Sequence, residues 1–168
     1  MARGHHKASM KKLNIRDIPE ETWTSPKGNF SGAGKEISLA LGRDARSADP
    51  KNRHPFDVEL CRIPAGKKPC PFHSHSAQWE FYHVLSGRGV LRHAEGTTQI
   101  GPGDVFIFPP DEPHQLINDG DEDLVVYIVA DNPHGESCHY PDSHKWMVRS
   151  PARQLIRSAG LDYYDGEE

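Results

Sequence analysis

From Glu36 onward the chain is written in short apolar runs separated by clusters of Gly, Pro, Asn and Asp. The runs are "EISLALG", "FDVELCRI", "EFYHVL", "RGVLRH", "TTQI", "DVFIFP", "HQLIN" and "LVVYIVA". They are rich in β-branched and aromatic residues, and each predicts a strand. One segment has helical character instead: "SPARQLIRSAG", residues 150–160, with Ser150 as N-cap, Pro151 in the first turn and Gly160 as the stop. Many short strands joined by Gly/Pro turns make an antiparallel sandwich or barrel, so the chain is expected to be all-β with one C-terminal helix.

The ends have different patterns. Residues 1–35 show turn residues and little periodicity, and read as an N-terminal extension with an exposed Gly/Ser-rich linker around "SPKGNFSGAG". The first nine, "MARGHHKAS", are unlike the rest of the chain, and Met10 is the more natural beginning; they are read as a vector-derived leader or a disordered end. Residues 36–131 then form the barrel. Residues 132–168 form a tail packed across it, with Tyr140 and Trp146 as anchors.

Composition narrows the function. A chain of 168 residues suits one domain with an ordinary core. A formal charge of −4 leaves no basic footprint for nucleic acid. No apolar run approaches the roughly 20 residues of a membrane helix, and the N-terminus lacks a secretion signal. Cys61, Cys70 and Cys138 are odd in number and form no CxxC pair, which argues against a disulfide framework or a zinc ribbon and for a reducing cytoplasm. The prolines fit a chain of turns; the 11 histidines call for sorting one by one.

The stretch "PFHSHSAQWEF", residues 71–81, carries the most chemistry. In an extended strand His73 and His75 project to one side with Ser74 opposite. Glu80 shares a face with Tyr82 and Val84, while Trp79, Phe81, His83 and Leu85 take the other. Gly87 and Gly89 flank Arg88 in a tight turn. Further on, His114, Leu116 and Asn118 share a face. By themselves these residues leave open a metal site, an acid–base pair, or core histidines satisfied by hydrogen bonds.

Two spaced motifs carry a resemblance. His73 to Gly87 reads HxH, four residues, Glu80, six residues, Gly87; Gly103 to Asn118 reads Gly, five residues, Pro109, one residue, Asp111, two residues, His114, three residues, Asn118. Together they resemble the paired motifs of the cupin superfamily, closely over residues 66–118 and as fold over about 36–130. Asp111 stands where Gly is usual, and Asp tolerates the left-handed backbone. Gly66 lies one residue further from His73 than usual, which implies a longer approach loop.

The resemblance implies a conical antiparallel barrel in which His73, His75, Glu80 and His114 face one divalent transition metal: Fe, Mn, Ni or Zn. Imidazole and carboxylate suit such metals, and a buried unpaired carboxylate would be costly. Four such ligands saturate tetrahedral zinc but leave two adjacent positions on an octahedral ion, where a substrate with neighbouring oxygens can chelate. The leading reading is therefore a metal-dependent enzyme acting on a small oxygenated metabolite, of sugar-phosphate-isomerase type. The alternatives are a non-heme iron dioxygenase and a non-catalytic module that binds or senses a small ligand. Tyr82 is the candidate catalytic residue; Lys67 and Lys68 are candidates to steer an anionic substrate; Cys70 lies near enough to approach the site. His54, His83, His93, His134, His139 and His144 read as surface or structural, and His134, Cys138, His139 and His144 match no closed zinc pattern. Exposed sheet edges, with "KEISLALG" as a crossing segment, point to a homodimer.

Overall fold

A computed structural model describes residues 10–44, 47, 50–149, 153–157, 160–161 and 163–167. Strands β1 (Glu21–Thr24) and β2 (Ser31–Glu36) lead into two short helices, α1 (Ile37–Ala40) and α2 (Pro50–Arg53). Beyond them lie β3 (Phe56–Ile63), β4 (Ser74–His75), β5 (Glu80–Ser86), β6 (Gly89–His93), β7 (Gly96–Ile100), β8 (Val105–Phe108), β9 (His114–Ile117) and β10 (Leu124–Asp131). The chain closes with β11 (Ser137–Tyr140), β12 (Lys145–Val148) and β13 (Gln154–Arg157). The pairing is antiparallel, in sheets ordered β1-β2-β3-β10-β5-β8, β13-β12-β11-β4 and β7-β6-β9. The all-β architecture read from the apolar runs is the one observed.

Register arranges the interior by polarity. Across β3, β10 and β5, Cys61, Val126 and Val84 lie side by side, and Ile63 faces Leu124. With Leu91, Ile100, Phe108 and Leu116 they form the core, in which Ile63, Val84, Leu124 and Val126 are fully buried. The next row, Glu59, Ile128, Tyr82 and Phe106, begins the change. One row further lie Asp57, Ala130, Glu80 and Phe108. Because side chains two apart share a face, the same inward face passes from hydrocarbon to carboxylate within three rows. The polar end holds the site.

The loops keep this end in place. Asn118 is fully buried; its Nδ2 donates to the carbonyls of Ile63 and Glu122, both at 2.7 Å, and its Oδ1 accepts from Gly120 N. Asp111 does adopt the left-handed backbone, at φ 67°, and its N–H donates to the His75 carbonyl at 2.7 Å. Gly87 turns the chain at φ 79°, where an added Cβ would collide with the Asp123 carbonyl.

Three local expectations are corrected. Residues 31–36 are not an exposed linker: Gly32, Ala33 and Gly34 are buried in β2, where the glycines make room for the Trp23 ring. The signal was missed because a glycine strand has no branched side chains to announce it. "EISLALG" is not a strand; Ile37–Ala40 forms a helical turn that buries Ser38, whose Oγ accepts from Val58 N at 2.8 Å. The tail segment is not helical where it is described: Gln154–Arg157 pairs with the open edge of β12, Val148 opposite Gln154 and Lys145 opposite Arg157. Tertiary pairing has overridden local preference there; Ser150 and Pro151, the expected start of the helix, lie outside the described residues. No helix among the described residues is long and apolar enough to cross a membrane.

Candidate metal centre

Each member of the His73, His75, Glu80 and His114 set reaches the polar end from a different element. His73 and His114 form an isolated antiparallel bridge, with His114 N donating to His73 O at 2.8 Å and His73 N to His114 O at 3.2 Å. His75 ends the two-residue strand β4, and Glu80 opens β5. The donor atoms of all four lie within 4.8 Å of one another. His75 and His114 are buried, and the Glu80 side chain is 14% exposed.

Hydrogen bonds determine which nitrogens face inward. His73 Nδ1 donates to the Pro71 carbonyl at 2.9 Å, and His114 Nδ1 to the Glu112 carbonyl at 3.0 Å. A carbonyl oxygen only accepts, so both rings carry a proton on Nδ1. His75 Nδ1 lies 2.9 Å from the carboxylate of Glu136, with the same consequence. The Nε2 atoms of His75 and His114 are thereby turned toward Glu80. His114 Nε2 is 2.7 Å and His75 Nε2 3.5 Å from Glu80 Oε2, and His75 Nε2 has no hydrogen-bond partner. Lone pairs facing one another in a covered site require a proton or a cation between them. The donor set, oxygen and imidazole nitrogen without thiolate, suits a first-row divalent ion.

Electrostatics reflect this crowding. His73 is held down at about 4, by burial first and by the neighbouring His114 next. His75 is also opposed by burial, but its Nδ1 contacts with Cys138 and Glu136 and the nearby Glu80 carboxylate outweigh it and raise it to about 12. Glu80 resists burial through its bonds with His114 and His75 and stays ionised well below the usual carboxylate range. Tyr82 donates its hydroxyl to Glu80 Oε2 at 2.7 Å, and burial keeps the phenol protonated. Phe108 stacks on His114, with ring centroids 4.1 Å apart.

His73, Glu80 and His114 line a cavity of about 760 Å³. Its wall includes Trp23, Glu36, Arg43, Asp57, Glu59 and Arg149. Glu59 is pushed up to about 7, mostly by burial and then by the nearby Glu36 and Glu80 carboxylates. Neither Lys67 nor Lys68 lines this cavity: Lys67 Nζ donates to the Gly28 carbonyl, and the Lys68 carbonyl accepts from Ser31 N. Cys70 does approach, with Sγ 3.8 Å from His73 Nδ1, and burial pushes its thiol up to about 12.

The tail cluster resolves differently from its sequence spacing. His139 stacks on Trp146, so this tryptophan anchors its own hairpin, whereas Tyr140 stacks toward His73 at 6.1 Å. Cys138 joins His75 and Glu136 instead of the tail histidines. Glu136 and Glu59 are the residues that sequence reasoning misses. Neither lies in a motif, and Glu59 shows only as a charged position inside the apolar run "FDVELCRI".

Comparison with known proteins agrees with this geometry. The family described as Cupin domain matches residues 59–130. An uncharacterized protein of Methanocaldococcus jannaschii is 29% identical over 72 residues, 43% of this chain; the match spans 57% of that relative's length. Among solved structures, a protein of Acidithiobacillus ferrooxidans provisionally named a sugar phosphate isomerase aligns at TM-score 0.73 and 26% identity, covering 88% of this chain and 92% of the other. A cupin-superfamily sugar phosphate isomerase of Silicibacter pomeroyi aligns at TM-score 0.73 and 23% identity, over 91% of this chain and 98% of its own. Two motifs in register, four donor atoms within 4.8 Å of one another, and the family match over residues 59–130 lead to one conclusion: the chain carries a small cupin domain.

Proposed function

We propose that His73, His75, Glu80 and His114 hold one divalent transition metal and that the protein is an isomerase of a small phosphorylated sugar or a similar hydroxy-carbonyl metabolite. The observation that carries this reading is the convergence of three imidazoles and one carboxylate, their donor atoms within 4.8 Å of one another, with His73, Glu80 and His114 lining a cavity large enough for such a molecule. The relative from Acidithiobacillus ferrooxidans supports the substrate class. When bound, the metal would supply Lewis-acid polarisation of a substrate carbonyl or hydroxyl. The chain's own residues do the rest. Tyr82 holds the Glu80 carboxylate by donation, so it positions a ligand and does not take up a substrate proton. Glu59, held near neutrality in the cavity wall, is placed to accept and return the proton that an aldose–ketose interconversion moves.

The test is elemental analysis of protein purified without added metal, with NMR of a panel of aldose and ketose phosphates as the second step. One metal per chain and interconversion of at least one pair are expected. His75→Ala and His114→Ala should fold but lose both metal and turnover, whereas Glu59→Gln should keep metal and lose turnover. Full metal content in both histidine variants would sink the ligand assignment. Oxygen consumption without interconversion would favour a dioxygenase in place of the isomerase.

A further inference from the structure

Glu136 lies in the turn before β11, outside the matched residues 59–130 and outside both motifs. It is 3% exposed. Its two oxygens have separate partners. Oε2 accepts from the backbone N–H groups of Ala77 and Gln78, both at 3.0 Å. Oε1 takes the Nδ1 proton of His75 at 2.9 Å, with Cys138 Sγ 3.9 Å away. The strand that carries His75 is itself paired to this tail: Cys138 lies opposite His75 and His139 opposite Ser74.

We propose that Glu136 is a positioning residue that fixes the tautomer of His75, so that the C-terminal hairpin sets the metal affinity of a centre whose ligands all lie within the barrel. The inference rests on the metal reading given above. Through Nδ1, His73 and His114 donate to neutral backbone carbonyls, and among these three Nδ1 atoms only that of His75 faces a carboxylate. A carboxylate behind an imidazole both fixes the ring's proton on the far nitrogen and makes the near nitrogen a better donor to a metal. His75, Glu136 and Cys138 also lie within 4.8 Å of one another, yet Nδ1 there carries the proton that Glu136 accepts. The trio thus reads as support for the main centre, not as a second ion site. The division of labour between the two oxygens matters further: one holds the loop from Ala77 to Gln78, the other the ring.

That division supplies the test. In Glu136→Gln the amide oxygen can take the place of Oε2 and still accept from Ala77 and Gln78, so the loop stays clamped. The amide nitrogen then faces His75 and can only donate, which obliges Nδ1 to accept and sends the ring proton to Nε2, where it blocks ligation. Zinc affinity is measured by chelator competition at fixed pH, and ring protonation by nitrogen NMR of the metal-free protein. Glu136→Gln is expected to fold, to bind zinc roughly 10–100-fold more weakly, and to show His75 with its proton on Nε2 only. Glu136→Asp keeps an acceptor-only group and should recover most of the lost affinity. Unchanged affinity in Glu136→Gln overturns the positioning role while leaving the metal reading intact. Absence of zinc binding in the wild type overturns the metal reading and this inference with it. A wild-type His75 lacking its Nδ1 proton overturns the inference without any variant.

Discussion

An imidazole that ligates must present a bare nitrogen, so a raised histidine has to give up a proton before metal can enter. His75 is raised to about 12 and is protonated at neutral pH in the metal-free protein, whereas His73, lowered to about 4, is already neutral. Metal uptake at pH 7 should therefore release protons, and zinc affinity should fall as pH is lowered, because protons compete for the imidazole nitrogens. Calorimetry in buffers of different ionisation enthalpy measures the proton count; a count of zero would contradict the assignment of His75. Glu59 makes a second prediction. Its folded pKa of about 7 lies above its ordinary 4.5, so the fold binds this proton more tightly than the unfolded chain does. The resulting stabilisation is present in full below pH 4.5 and is lost as pH rises to about 7. Between pH 5 and pH 8 the metal-free wild type should lose up to roughly 3 kcal/mol that Glu59→Gln retains, as urea unfolding would show. Parallel pH profiles would refute it.

At the scale of elements, the motif positions that hold no metal have structural work. Asn118 closes the second motif by joining the ends of β3 and β9 to the turn before β10, with the Ile63 carbonyl buried and the Glu122 carbonyl partly so. Asn118→Ala leaves the buried Ile63 carbonyl unsatisfied and should cost about 1–3 kcal/mol in denaturant unfolding. A loss under roughly 0.5 kcal/mol, the range of ordinary surface substitutions, would show that water replaces the amide. Strands with alternating branched residues, such as β3, β5 and β10, were legible from sequence because burial of one face demands that alternation. Strands β2 and β13 were not. The first is built of small residues under Trp23, and the second exists because β12 offers it an open edge.

For the molecule as a whole, the outward face of the large sheet carries exposed apolar side chains on β8. Ile107, Phe81 and Val129 lie in one row and Val105, His83 and Tyr127 in the next, with Val105 60% and Ile107 55% exposed. A row of this kind is suited to a matching surface. The expected occupant is a second copy in an isologous homodimer. Light scattering should give a dimer, and Ile107→Lys should convert it to monomer with the fold intact; a monomeric wild type would remove the prediction.

The two spaced motifs, through their resemblance to cupins, were enough to single out His73, His75, Glu80 and His114 as one set, and the structure brings their donor atoms within 4.8 Å of one another. The second motif also placed the turn at Asp111, and the short apolar runs between Gly/Pro turns carried the all-β class. What these left undetermined is everything contributed by residues distant in sequence and free of any motif. Glu136 reaches His75 across 61 residues, Glu59 enters the cavity by register alone, and the tail forms a sheet with the ligand strand. Those relations depend on which strand edges meet. Strand pairing is settled by burial over the whole molecule, so only the tertiary structure decided them.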